Sequence, residues 1–151
     1  MPSASQATPG GPASTVAVTV RWAECDPAGI LYHPRVFDWF SEARVAWLAA
    51  RGMSYYETFR PRRIEILVLA CHAEFLRPAR PGDQLTVWAW ADQLTPTRMN
   101  FYYRVEREGV EVSTGSTEHV FVRDGKPVNL RKAEPVLFRN LADSVNPALE
   151  A

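Results

Sequence analysis

Hydrophobic and polar positions change their period along this chain. From Thr15 they alternate strictly: Val16, Val18, Val20 and Trp22 share one face, and Thr15, Ala17, Thr19 and Arg21 the other. Period two is the pattern of a half-buried strand. Between Pro34 and Gly52 the period lengthens to three and four. Val36, Phe40, Ala43, Trp47 and Ala50 form a stripe that Phe37, Arg44 and Leu48 widen, which predicts the chain's one long helix. Pro34 suits its first position, where the missing N–H would be unpaired anyway, and Gly52 can end it in the left-handed conformation. Residues 53–63 are mixed and aromatic, and read as a loop with a helical turn at most. They hold a basic cluster, Arg60, Arg62 and Arg63.

Beyond Arg63 the pattern is all strand. Ile64–Leu76 is β-branched and apolar enough for a long central strand. Arg77-Pro78-Ala79-Arg80-Pro81-Gly82-Asp83 then breaks the chain. In the stretch Gln84–Leu94, Leu85, Val87 and Ala89 alternate with Thr86, Trp88 and Trp90. In Arg98–Glu106, Met99, Phe101, Tyr103 and Val105 alternate with Asn100, Tyr102, Arg104 and Glu106. Glu108-Gly109 and Asp124-Gly125 flank a last strand, Val110–Val122, and read as hairpin turns. Strands joined by such short turns are antiparallel neighbours. Residues 134–141 predict a short closing helix.

One strand, a helix and a four-strand meander make an α+β domain over residues 14–142, its helix lying in the concavity of a curved five-stranded antiparallel sheet. Residues 1–13, rich in Pro, Gly and small polar side chains, and residues 143–151 read as loose tails. The far side of the sheet carries Trp and Tyr side chains that one helix cannot cover, so association of identical chains is expected there.

Composition narrows the function. The 151 residues carry 17 basic and 17 acidic side chains, which argues against a broad nucleic-acid or anionic-membrane surface. The basic residues are nearly all Arg, with Lys only at Lys126 and Lys132, so local phosphate contacts remain open. Cys25 and Cys71 form no CxxC pattern and point to a reducing compartment, hence the cytoplasm. Neither a signal peptide nor a membrane span is expected, because no apolar run approaches the roughly 20 residues that a span needs.

The chemistry concentrates just before the helix. Asp26-Pro27-Ala28-Gly29 is a turn with Asp first and Pro second. It delivers a carboxylate beside unpaired N–H groups at a helix start, a place suited to polarising a carbonyl next to an acid.

The run Val20-Arg-Trp-Ala-Glu-Cys-Asp-Pro-Ala-Gly-Ile-Leu-Tyr-His-Pro34, with the aromatic helix behind it, resembles the hotdog-fold acyl-CoA thioesterases. The branch is that of 4-hydroxybenzoyl-CoA thioesterase and the Tol-Pal-associated bacterial acyl-CoA thioesterases. Ala70-Cys-His-Ala-Glu-Phe75 and the following Arg-Pro-Ala-Arg-Pro-Gly-Asp turn carry the likeness further, over roughly Val16–Leu130. The resemblance implies a five-stranded sheet wrapped around the helix, dimers or tetramers, and sites at the dimer interface. It implies an acyl-CoA substrate, no separate cofactor and no metal. By position it makes Asp26 the catalytic carboxylate and the His33 backbone N–H the donor to the thioester carbonyl. Gly29, Tyr32, Trp39, Arg98 and Arg131 become candidate substrate contacts. His33 stands where the hydroxybenzoyl branch has tyrosine, which puts an aryl substrate in question.

Other readings stand beside this one. Asp26 could merely cap its turn, and Glu24 reads as an exposed loop acid. Cys25 could be a nucleophile with His33, His72 or His119 as base, although a lone cysteine is more often a small buried hydrophobe. Trp22, Tyr32, Phe37, Trp39, Phe40 and Trp47 read mostly as core, Tyr32 and Trp39 being open to a pocket role. Rival functions are an enoyl-CoA hydratase, disfavoured because Asp26 and His33 are seven residues apart, a non-catalytic acyl-CoA-binding protein, and a thioesterase acting on an acyl carrier protein.

Overall fold

The computed structural model describes residues 11–145. Its strands are β1 (Ser14–Thr19), β2 (Glu65–Phe75), β3 (Gln84–Asp92), β4 (Arg98–Arg107), β5 (Val110–Arg123) and a two-residue β6 (Lys126–Pro127). Helix α1 spans Val36–Ala50, α2 Leu130–Ala133 and α3 Pro135–Val145. The antiparallel sheet runs β1-β3-β4-β5-β2, with β6 hairpinned onto β5. Both predicted hairpins form. Glu108–Gly109 and Asp124–Gly125 have positive φ at both residues, the mirror-image turn whose twist matches that of the flanking strands.

Helix α1 crosses the inner face of this sheet, burying Val36, Trp39, Phe40, Ala43, Trp47 and Leu48. Phe40 stacks on Tyr103 of β4 with centroids 4.3 Å apart and planes 5° from parallel. It fits because residue 115 of β5 is glycine: a Cβ there would lie 2.3 Å from the Phe40 ring and 2.6 Å from the His72 carbonyl oxygen. This is the hotdog arrangement, a curled sheet around one long helix.

Several expectations change. Strand β2 is not central but lies at the sheet edge. Its apolar composition is not matched by burial, since Leu67, Val68, Leu69 and Phe75, with Leu76 just beyond it, are all 43–50% exposed. A bulge between Val68 and Ala70 accompanies that edge. Trp22 is 81% exposed, because β1 ends at Thr19 and a short 3₁₀ turn, Trp22–Glu24, swings it off the strand face. Tyr32 is likewise exposed. Conversely, Trp90 and Tyr102 on the outer face are buried and stacked on each other, with Trp88 and Ala13 packed against them, so that surface is less bare than the pattern predicts.

The closing helix runs further than expected, burying Leu137, Leu141 and Val145 at four-residue spacing. The loose tails lie largely outside the described residues. Inside them, the Pro12 carbonyl accepts a hydrogen bond from Trp47 Nε1 at 2.9 Å. No helix among the described residues is long and apolar enough to cross a membrane.

A polar chain unmarked in the sequence pattern runs between α1 and the sheet. Arg44 Nη1 donates to the Tyr103 hydroxyl at 3.0 Å, which lies 2.6 Å from Thr117 Oγ1, itself 2.7 Å from His119 Nε2. The guanidinium can only donate, so the Tyr103 hydroxyl accepts from it. The His119 Nδ1 has no partner among the described residues. Desolvation, reinforced by the Arg44 charge, holds the imidazole pKa down at about 3, against about 6.5 when exposed. The unfolded chain therefore binds a proton that the folded chain refuses. Stability is full above about pH 6.5 and is lost as pH falls toward 3. In urea unfolding between pH 7 and 5, where carboxylates titrate little, the His119→Gln variant should lose stability less steeply than its parent, by up to about one proton. Equal slopes would reject this role for His119.

Candidate active site

Residues 20–35 join β1 to α1, and backbone bonds fix them at both ends. Val20 donates to the Asp83 carbonyl at 2.9 Å and accepts from Gly82 N–H at 2.8 Å. Across the Cys25–Leu31 bridge, Tyr32 N–H donates to the Glu24 carbonyl at 2.8 Å. Leu31 N–H donates to the Ala79 carbonyl at 2.8 Å. The proline-rich turn between β2 and β3 thus braces the connection.

At the tip, the Asp26 carbonyl accepts from Gly29 N–H at 2.9 Å and Asp26 Oδ1 from Ala28 N–H at 2.8 Å. Gly29 has φ +77°, a conformation that needs no Cβ penalty only at glycine. The capping role weighed for Asp26 is real but occupies one oxygen. The other has no partner among the described residues.

Half-buried Asp26 lines a cleft of about 540 Å³. Ile30, Leu31 and Trp39 form one wall, and Phe75, Leu76, Pro78 and Val112 the other. Its polar groups are Asp26, His33, Arg77 and Ser113, and the Ser113 hydroxyl already donates to the Glu74 carbonyl at 2.7 Å.

His33 opens a 3₁₀ turn, His33–Arg35, that continues into α1. Pro34 has no N–H, Arg35 N–H donates to the Tyr32 carbonyl, and Val36 N–H to those of His33 and Pro34. The His33 N–H has no partner among the described residues. One free donor therefore remains where the aligned peptide dipoles of the helix place positive charge. The His33 ring packs edge-on against Phe75, centroids 6.3 Å apart.

Trp39 is buried at the cleft, and its indole is fixed by a residue that the sequence reading misplaced. Glu24 is 4% exposed and not a solvated loop acid. Its Oε2 accepts from Trp39 Nε1 at 3.0 Å and its Oε1 from Arg21 N–H at 2.9 Å. The available signal was Trp39 itself, since an indole N–H on the buried stripe of a helix requires an acceptor.

The other expected residues scatter. Gly29 shapes the turn but does not line the cleft, and Tyr32 packs edge-on against the His33 ring with centroids 5.2 Å apart. Arg98 begins β4 beside Val120, and Arg131 lies in α2. Neither is part of the cleft lining. Cys25 is a poor nucleophile candidate. Desolvation, then the Glu24, Asp26 and Asp83 carboxylates, push its thiol above the ordinary value, whereas reactive cysteines need the reverse. His72 sits exposed on β2, 3.5 Å from Glu74.

Comparison with known proteins places this geometry. Residues 20–140 match the family model of the Thioesterase-like superfamily. An esterase candidate from Aquifex aeolicus (strain VF5) is 30% identical over 113 residues, covering 75% of this chain and 88% of that protein. A 1,4-dihydroxy-2-naphthoyl-CoA hydrolase from Synechococcus sp. (strain CC9311) is 27% identical over 124 residues, covering 78% of this chain and 82% of the hydrolase. The crystal structure of a hypothetical protein from Thermus thermophilus superposes with a TM-score of 0.81 at 28% identity, covering 87% of this chain and 98% of its own.

Because Glu24 is a buried carboxylate that accepts from the Trp39 indole, the Arg21 N–H and the Arg21 guanidinium, Glu24→Ala should lower the unfolding free energy in urea by about 2–3 kcal/mol. Glu24→Gln, which keeps one acceptor oxygen, should lose less. Equal stability of Glu24→Ala and its parent would show that these bonds do not hold the connection.

Proposed function

This chain belongs to the thioesterase-like superfamily, and from that premise we propose that it hydrolyses acyl-CoA thioesters to the free acid and CoA. The observation that carries the proposal is one apolar cleft offering both the Asp26 carboxylate and the unpaired His33 N–H. Thioester hydrolysis needs those two functions, a base or nucleophile and an oxyanion donor.

In the proposed reaction the carbonyl oxygen rests against the His33 N–H at the positive end of α1. Negative charge grows on that oxygen as the carbonyl carbon becomes tetrahedral, and a fixed donor of this kind contributes about 2.7–4 kcal/mol in other enzymes. Asp26 acts in one of two ways. It takes a proton from water as the water oxygen attacks, or it attacks directly to form a mixed anhydride that water then cleaves. In both, the C–S bond breaks with its electron pair going to sulfur, the departing thiolate takes up the proton released from water, and Asp26 ends as the free carboxylate. CoA enters as part of the substrate, so no further cofactor has a step here.

The apolar walls, with Trp39 and Phe75 among them, favour an aromatic acyl group, and the naphthoyl-CoA hydrolase relatives support that choice. A carrier-protein thioester would use the same chemistry and is the second reading.

The exposed β2 edge supports a dimer. Arg98 pairs with Val120, which pairs with Leu67 near the start of β2, whereas the cleft lies at Phe75 near its end. Eight residue steps at about 3.3 Å separate the two levels by roughly 26 Å within one chain. Antiparallel pairing of two β2 edges about a two-fold axis reverses one of them. The partner subunit's Arg98 and Arg131 then approach this chain's cleft, where the CoA phosphates would emerge.

Thiol-release assays over benzoyl-, hydroxybenzoyl-, short- and long-chain acyl-CoAs test the chemistry. Asp26→Asn should lose roughly 10²-fold or more, while Cys25→Ser should keep near-parental rates. An active Asp26→Asn would reject the assignment, and a dead Cys25→Ser with a trapped acyl-enzyme would transfer it to the cysteine. A charge on the edge, Val68→Lys, should yield monomers by sedimentation and a loss of kcat/KM of about 10-fold or more. An active monomer would sink the shared-site reading.

A further inference from the structure

Arg77 supplies the one guanidinium on the cleft lining among the described residues, and the proposed chemistry does not use it. Its N–H donates to the Val112 carbonyl at 3.2 Å and its Nη1 to the Glu111 carbonyl. The Glu111 carboxylate is meanwhile held by Arg104 at 3.0 Å. The neighbouring Arg107 guanidinium, by contrast, pairs with Asp83 at 2.8 Å. Arg77 pairs with no carboxylate among the described residues. Its cation is oriented by a carbonyl and faces a cleft whose walls are mainly apolar. Such a group attracts an anionic oxygen, and its planar fork fits a carboxylate or a phosphate.

We propose that Arg77 binds an anionic oxygen of the substrate and sets specificity by doing so. This rests on the acyl-CoA reading above. The oxygen has two possible sources, an ionised substituent on the acyl group or a phosphate of CoA. Substrates that carry one, both or neither separate them.

Thiol release is measured for the parent, Arg77→Gln and Arg77→Lys on benzoyl-CoA, 4-carboxybenzoyl-CoA and the pantetheine thioesters of the same two acids. Arg77→Gln should lose about 10- to 100-fold in kcat/KM, mostly through KM, wherever the recognised anion is present. Benzoyl-pantetheine, which carries no anion, should change by less than about 3-fold, and Arg77→Lys should recover part of the loss. Loss confined to the two carboxylated thioesters assigns the acyl group, and loss confined to the two CoA thioesters assigns the phosphates. Either outcome supports the proposal. Equal loss on all four substrates, or none on any, overturns it. Calorimetric titration of CoA and of terephthalate reads the same contrast without turnover, so failure of the hydrolase reading and failure of this one remain distinguishable.

Discussion

The position of α1 is set by one aromatic ring lying where β5 has no side chain. Phe40 stacks on Tyr103 and occupies the space over Gly115. Any Cβ at residue 115 would meet that ring and the backbone of β2 together, so the depth at which the helix sits in the sheet follows from a missing methyl group. Close packing then carries the constraint outward. With Phe40 fixed, Trp39 is turned toward the β1–α1 connection, where Glu24 accepts its indole proton. The same carboxylate holds the Arg21 N–H, so the end of β1 and the first turn of α1 share one anchor. The Asp26 turn and the free His33 N–H hang between these points. The site's geometry is therefore a consequence of how deeply the helix is seated.

What the sequence made legible was local. Alternation located β1, β3 and β4, the three-and-four period located α1, and two-residue Gly turns located the hairpins and β5 between them, because each signal is carried by neighbouring residues. The adjacency of β3, β4 and β5 followed from their short turns, but the place of β2 in the sheet was beyond reach. Ile64–Leu76 is apolar for a reason other than burial within its own chain, and composition cannot distinguish a strand covered by a helix from one left bare at an edge. Trp22 was misplaced because alternation does not mark where a strand stops. The tilt away after Thr19 comes from the Glu24 anchor fifteen residues before Trp39. In the site, the Asp-Pro turn and the helix start could be read because both are sequence-adjacent. Glu24, Arg77 and the Arg44–Tyr103–Thr117–His119 chain could not, since each depends on elements far apart in the sequence.

That buried polar chain shows how the core meets a conflicting demand. Thr117 and His119 occupy inward-facing positions of β5, opposite Phe101 and Met99, where an apolar residue would be the simple choice. Each polar atom save the His119 Nδ1 is joined to the next. A neutral imidazole beside the Arg44 charge is the consistent state, because protonation there would bring two cations together in a desolvated space. The network ties the middle of α1 to β4 and β5 by directional bonds, whereas the aromatic stack below it constrains separation more than sliding.

The cleft also explains why a lone chain is an incomplete catalyst in this reading. Its apolar walls end at Phe75 and Leu76, which are half exposed, at the end of the strand whose outer edge lacks a partner among the described residues. A cleft closed by rigid packing on one side and open on the other admits water freely, which weakens every electrostatic contact inside it. Covering the β2 edge would therefore do two things at once. It would satisfy a row of strand N–H and C=O groups, and it would raise the local value of the His33 N–H and the Asp26 charge by excluding solvent. Stability and catalysis would then draw on the same surface. An edge that is apolar on both faces is otherwise an aggregation hazard, and such a shared use gives a physical reason for a chain to keep it.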